Sequence, residues 1–497
     1  MANGQKTKDK NILLLIADDL GKNLGCYGVK DISTPNIDAL AANGILFSHA
    51  FTSTASCSAS RSVIYTGLHT HQNGQYGLCG ERHHFTTFDK VDTAPLLFSR
   101  LGYLTGVIGK VHVGPDSVYP WDVREPSWTR DVSWVADRAG AFFEKSKSSS
   151  ADGGPQPFFL TVGYIDPHRD RSRSGFGNHE GFDARVKDIK YSPFDVAIPT
   201  FINDLDESRF EFAEYYQSIS RLDQGIGMIL SELEKAGQAE NTLVIFLSDN
   251  GPPFINSKTT LFDAGVCLPM IIRQPGYSTG FTNPNMISYV DILPTLLEWA
   301  GETKHSHLPG NSFLPILRSS HVLEDPTWPQ LVFGSHTFHE ITNYWPTRFM
   351  RTRKYKYHRN IAWRLDFPFS ADLYGSLTWE GVRNSAAKKS DSTKDTNISK
   401  NEVMVGPRRL KDYIFRPPEE LYDLEEDPDE VRDLAKDEKN AELVAGFRER
   451  LEQWQRDTND PWLYRDGISV MFIQKHLDAG MKVPDRWDFD VEDVATR

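Results

Sequence analysis

The chain has 497 residues, 39% hydrophobic and 25% charged, which supplies a sizeable core and argues against global disorder. A net charge of −13 and a pI near 5.6 argue against nucleic acid as the main partner, since phosphate contacts need clustered Lys and Arg. A locally positive pocket for an anionic ligand stays open on such a protein. No apolar run approaches the roughly 18 residues of a membrane span. Lys6, Lys8 and Lys10 precede the richest run, Ile12 to Ala17, but that run is short and ends in Asp18-Asp19 with no cleavage site. No export signal is read, so a cytoplasmic location is the expectation and is otherwise left open. The cysteines (Cys26, Cys57, Cys79 and Cys267) are scattered without a C-x-x-C pair, which suggests neither a zinc knuckle nor a disulfide framework.

Asn11 to Ala17 is continuous and apolar, the pattern of a central strand buried on both faces. Thr34-Pro35-Asn36 opens an amphipathic helix over Ile37 to Asn43, and Ser58 to Tyr65 reads as a second helix. Further buried strands are expected at Leu104 to Ile108, Phe158 to Tyr164, Thr242 to Leu247 and Pro269 to Ile272. Helical patterns lie between several of them, at Ala94 to Leu101, Phe210 to Lys235 and Asp291 to Ala300. This alternation predicts an α/β fold: a large, mostly parallel mixed sheet sandwiched by helices, with ligands beyond the carboxyl ends of the strands. Glu144 to Pro157 and Arg383 to Glu402 read as low-complexity surface insertions. After about residue 330 the texture changes. Strands with polar faces are expected at Gln330 to Phe333, Met350 to Arg359 and Glu420 to Leu424, and a closing helix at Ala441 to Arg456. Residues 1–330 are therefore read as the α/β domain and 331–497 as a smaller α+β domain with an antiparallel sheet.

Candidate chemistry sits at the strand ends. Asp18-Asp19 follows the first strand, and adjacent carboxylates repel unless a cation compensates. Asp249-Asn250-Gly251 follows the strand that starts at Thr242, so two strand ends could supply oxygen ligands only, suited to Ca²⁺ or Mg²⁺ rather than zinc. Cys57 lies at a helix start with Arg61 one turn along. Lys110 and His112 share a face if the chain there is extended. Asp166-Pro167-His168 follows another strand, and Lys258 comes shortly after Asp249. Any one of these has an ordinary structural reading, a buried thiol or a hydrogen-bonding histidine. Their joint placement after strand ends is what points to a site.

Taken with I-L-L-L-I-A-D-D-L, T-P-N-I-D-A-L-A-A-N-G, C-S-A-S-R-S-V-I-Y-T-G, G-K-V-H-V-G, Y-I-D-P-H, L-S-D-N-G, V-D-I-L-P-T-L and E-L-Y-D-L-E-E-D-P, the chain resembles the type I sulfatases of the alkaline-phosphatase superfamily over nearly its full length. H-T-H-Q-N-G-Q-Y-G-L, H-H-F-T-T-F-D-K-V, V-F-G-S-H-T-F-H-E-I-T and T-N-D-P-W are most similar to heparan N-sulfatases, the sulfamidases. The resemblance implies that Cys57 is oxidised to formylglycine by a formylglycine-generating enzyme. It implies one Ca²⁺ (or Mg²⁺) on Asp18, Asp19, Asp249, Asn250 and the modified Cys57. Arg61 and His112 would hold the formylglycine hydrate, and Lys110, His168 and Lys258 would contact the sulfate of a sulfated sugar or small molecule. Ala59 departs from the usual modification signal, which has Pro there. His339 and Glu340 are expected to reach the sugar, against a domain-interface hydrogen bond as the plain alternative. A homodimer is a further expectation, and neither a membrane nor nucleic acid is expected as a partner.

Two other classes stay open at this point. A one-metal phosphonate or phosphate ester hydrolase of the same superfamily would share most of these residues. A non-catalytic glycan-binding protein on the same scaffold becomes the reading if Cys57 is not oxidised.

Overall fold

A computed structural model describes residues 10–463, apart from 81, 151–153, 174, 278–279, 304–306 and 392–402, together with residue 478. Eight strands form the main sheet: β1 (Asn11–Ala17), β2 (Ile45–Phe51), β3 (Leu104–Gly109), β4 (Val123–Pro126), β5 (Phe158–Gly163), β6 (Thr242–Ser248), β7 (Cys267–Arg273) and β8 (Phe281–Ser288). Their order is β4-β3-β5-β1-β6-β7-β2-β8. Neighbours are parallel except at β7, which runs antiparallel to both β6 and β2.

β1 shows why the sheet is central. Leu13, Leu15 and Ala17 pack into one core with Ile37, Phe142 and Phe212. Ile12, Leu14 and Ile16 pack into a second with Ile64, Phe98 and Leu296. Period-2 alternation thus sends neighbouring side chains to opposite faces, and both faces are covered. Helices α1 (Pro35–Ala42), α4 (Val132–Ser146) and α5 (Asp206–Lys235) cover the first face. Helices α2 (Cys57–Thr66), α3 (Ala94–Arg100) and α6 (Ile292–Trp299) cover the second. Each fully buried Leu or Ile contributes on the order of 1.5–3 kcal/mol.

A second, four-stranded antiparallel sheet contains β9 (Leu331–His336), β10 (Thr347–Thr352), β11 (Tyr355–Asn360) and β12 (Glu419–Asp423), in the order β12-β11-β10-β9. Helix α7 (Leu377–Asp391) packs on α5, and α8 (Ala441–Asp457) closes over the second sheet through Val444, Phe447, Leu451 and Trp454. Met350 to Arg359 is not one strand. It folds back at Arg353-Lys354 so that Met350 on β10 opposes Tyr357 on β11. The two low-complexity stretches are partly helical: α4 runs to Ser146 and α7 to Asp391, while residues 151–153 and 392–402 lie outside the described residues. Among the described residues no helix is long and apolar enough to cross a membrane.

β9 joins the two sheets near the site. Ser335 N–H donates to the Ser53 carbonyl at 2.8 Å, just ahead of Cys57. The chain after β9 therefore arrives beside the start of α2.

Candidate active site

The parallel pairing of β1 with β6 sets Ala17 opposite Ser248, so Asp18-Asp19 and Asp249-Asn250 leave the sheet side by side. Asp19 N–H donates to Asp249 Oδ1 at 3.2 Å, and Asn250 Nδ2 donates to Asp19 Oδ1 at 2.7 Å. On the other side of β1, β5 and β3 end in Gly163 and Gly109. Lys110 N–H donates to Gly163 O at 2.7 Å, and a Cβ on Gly163 would strike the Lys110 carbonyl and the Arg61 guanidinium. Glycine is needed there because the two backbones and an arginine share the space.

Every residue of α2 is buried, although the helix is rich in hydroxyls. Three of these hydroxyls are satisfied inside the protein: Thr52 Oγ1 meets Ser60 Oγ at 2.8 Å, Ser62 Oγ donates to Ala59 O at 2.7 Å and Thr66 Oγ1 to Ser62 O at 2.7 Å. Cys57 is the first residue of this helix and Gly67, with φ of 64°, ends it. One turn on, Arg61 Nε donates to Asp249 Oδ2 at 2.8 Å and Nη1 to Lys110 O at 3.0 Å, while Nη2 is buried with no hydrogen-bond partner.

Three carboxylates and three cations therefore meet in a water-excluded space: Asp18, Asp19 and Asp249 with Arg61, Lys110 and Lys258. Lys110 pairs with Asp18. Lys258 pairs with Asp19 and with Asp372, both at 2.8 Å. Burial and the Asp18 carboxylate push Asp249 above the usual carboxylate range. Against its own burial, the Asp19 and Asp372 carboxylates hold the Lys258 ammonium well above its ordinary value. Asp18 Oδ1 and Asn250 Oδ1 are buried with no hydrogen-bond partner. Unpartnered buried oxygens cost about 1–3 kcal/mol each unless a ligand engages them. An oxygen-only set of this kind fits a hard divalent cation. Asp18, Asp19 and His168 also bring ligand atoms within 4.8 Å of one another.

Burial pushes the Cys57 thiol up to about 12, against the pull of Lys110. As an encoded thiol it stays protonated near neutrality and is a poor nucleophile. Burial, with Lys110 and Arg61 nearby, holds His112 well below its ordinary value, so it is a neutral proton acceptor. The chain at His112 is not extended: its φ is 55°, and Asp19 (62°) and Thr259 (67°), the residue after Lys258, are also left-handed. Non-glycine residues in that region store local strain, which here gathers at one site. His168 Nδ1 lies 2.6 Å from Arg169 O and so carries the proton, leaving Nε2 to accept from Lys258 Nζ at 3.2 Å. Asp19, Asp372 and His168 take all three Lys258 protons.

A cleft of about 1150 Å³ opens over this cluster, with His168, Trp128, Arg171, Glu340 and Asp372 in its wall. Glu340 is half-buried, accepts from Ala371 N–H at 3.2 Å, and is pushed above its ordinary value by burial. His339 points elsewhere: its Nδ1 lies 2.9 Å from Ser56 Oγ, beside Cys57. The two neighbours thus part company, one facing the cleft and the other bracing the start of α2.

Sequence reasoning missed Asp372, which no motif marks and which lies 114 residues from its partner Lys258. Against its burial, the Lys258 ammonium holds it well below the carboxylate range. It also passed over the anchor of the His168 loop. Asp166 binds Arg130 at 2.7 Å and Arg221 at 2.6 Å, all three buried, and Arg130 Nη2 donates to Arg169 O at 3.2 Å. The Asp of D-P-H was the available signal.

A family model described as Sulfatase matches residues 10–302. Human N-sulphoglucosamine sulphohydrolase is 37% identical over 489 residues, covering 93% of this chain and 93% of that protein. An ulvan-active sulfatase of Formosa agariphila is 30% identical over 488 residues, covering 95% of this chain and 85% of the relative. The structure of a 2-O GAG sulfatase shares the fold, with a TM-score of 0.64 at 20% identity over 93% of this chain and 95% of that one.

Proposed function

The chain belongs to the sulfatase family of sulfuric ester hydrolases, which work through formylglycine and a divalent cation, and we propose that its substrate is an N-sulfated glucosamine unit. The observation that carries this reading is the pair of carboxylates, Glu340 and Asp372, in the cleft wall beside His168. A sulfamate nitrogen is basic enough to be protonated before the S–N bond breaks, and a facing carboxylate stabilises the positive nitrogen so formed. A bridging ester oxygen is far less basic, carries less positive charge as its proton arrives, and gains less from the same carboxylate. The activity of the human relative, at 37% identity, supports the reading independently.

In this reading Asp18, Asp19, Asp249 and Asn250 hold one Ca²⁺ or Mg²⁺, whose charge would neutralise the sulfate oxygens. Oxidised to formylglycine by a dedicated enzyme, Cys57 would supply two geminal hydroxyls, one to attack sulfur and one whose later deprotonation releases sulfate. Arg61, locked by Asp249 and the Lys110 carbonyl, keeps Nη2 as the free donor that orients residue 57. Lys110 and Lys258 carry positive charge to the sulfate. The neutral His112 takes a proton. His168 Nε2, which accepts from the Lys258 ammonium, would relay that proton to the leaving group.

The test compares kcat/KM for N-sulfoglucosamine and glucosamine 6-sulfate in the parent and in Glu340→Gln. The N-sulfated sugar is expected to be the better substrate. Glu340→Gln should lower its kcat/KM by about tenfold, the scale of one charge-assisted contact, and spare the 6-sulfate. A preference for the 6-sulfate, or an equal loss on both sugars, leaves the general sulfatase assignment and removes the sulfamidase one.

A further inference from the structure

Trp128 is 70% exposed, yet it stands at the most reactive part of the protein. Its ring meets that of His112 edge-to-face at 5.7 Å, the Lys110 ammonium lies 5.8 Å from its centroid, and the rest of the indole faces the cleft. The backbone on both sides is tied down. Ser127 N–H donates to the Gly109 carbonyl at 3.0 Å, and the Arg130 guanidinium is fixed by Asp166 and the Arg169 carbonyl. Beyond its contacts with His112 and Lys110, the fold thus leaves most of a large apolar ring in water.

Resting on the sugar-substrate reading above, we propose that Trp128 is the platform on which the sugar ring of the substrate stacks, making it a specificity-determining residue for the leaving group. A group acted on between Lys110 and His112 is only a bond or two from the sugar that bears it, and Trp128 is the aromatic wall of the cleft within about 6 Å of both side chains. The C–H bonds on one face of a pyranose carry partial positive charge and suit the negative face of an indole. The opposite, polar side of the sugar then turns to Glu340 and Asp372. Stacking on a rigidly mounted ring orders the sugar at low entropic cost and adds no charge to a site that must discriminate by its carboxylates. The cleft, at about 1150 Å³, has room for a sugar ring on this platform.

The test uses the cation-loaded, formylglycine-bearing enzyme with Trp128→Ala and Trp128→Phe. For N-sulfoglucosamine, Trp128→Ala should raise KM about tenfold while kcat falls less than about threefold, and Trp128→Phe should recover most of the KM. Inhibition by inorganic sulfate, which has no sugar to stack, should shift less than about twofold. The proposal is overturned if KM of the alanine variant stays at the parent value. It is equally overturned if sulfate inhibition weakens in step with KM, because Trp128 would then act by positioning Lys110 and His112. A parent enzyme active on glucosamine 6-sulfate but not on N-sulfoglucosamine removes the sulfamidase reading alone, and the same KM comparison on the 6-sulfate then decides the role of Trp128.

Discussion

Replacing Cys57 with alanine lowers kcat by about 10⁴-fold or more while leaving the melting temperature close to that of the parent. The loss is of this order because the nucleophile, and not an orienting group, is removed, and little remains beyond binding and electrostatic stabilisation. The fold tolerates the change because the side chain is small, and the hydrogen bonds around it run through Ser56, Ser58 and Arg61. Cys57→Ser is expected to be equally inactive unless a serine-specific modifying enzyme is present, since an ordinary hydroxyl lacks the second oxygen of a hydrate. Sulfate release and thermal unfolding, measured on the same preparations, check both parts. Full activity in the alanine variant contradicts the nucleophile assignment.

Asp166→Ala has the largest expected effect on stability, a loss of about 3–5 kcal/mol. Asp166 is the shared partner of Arg130 and Arg221, whose side chains are only 5% and 4% exposed, so its removal leaves the Arg221 guanidinium buried without its carboxylate and Arg130 with only Glu180, at 3.5 Å. The cost is the uncompensated charge and exceeds what the ion pairs themselves contribute. The same change removes the carboxylate that fixes Arg130, one of the two donors to the Arg169 carbonyl, the other being His168 Nδ1, so turnover falls together with stability. Urea unfolding of parent and variant checks the first part. A difference below about 1 kcal/mol contradicts the account of this network.

Legibility followed the physics of burial. β1 and β6 could be read almost to the residue because a strand covered on both faces must be apolar throughout. Their parallel register then brings Asp18-Asp19 beside Asp249-Asn250 without further information. β2 and β8 escaped notice for the opposite reason. Ser48-His49 interrupts the first at a register shift, and the second buries Asn283 and Asn285, whose amides are satisfied by the carbonyls of Ile316, Leu317 and His321. Local sequence cannot show that a polar residue finds its partner thirty residues away. The same limit hid Asp372 and Trp128: one reaches Lys258 from the far part of the chain, and the other follows a four-residue edge strand. His339 and Glu340 were legible as a pair, but not that they diverge, since that depends on the turn after β9.

Peptide mass spectrometry across residues 57–61 of the purified, active protein tests the central claim most directly. The account predicts that residue 57 carries the mass of an aldehyde, in proportion to the activity of the preparation. A fully active preparation in which Cys57 remains an unmodified thiol would contradict it, because the buried thiol is held protonated and cannot take the role assigned to that position.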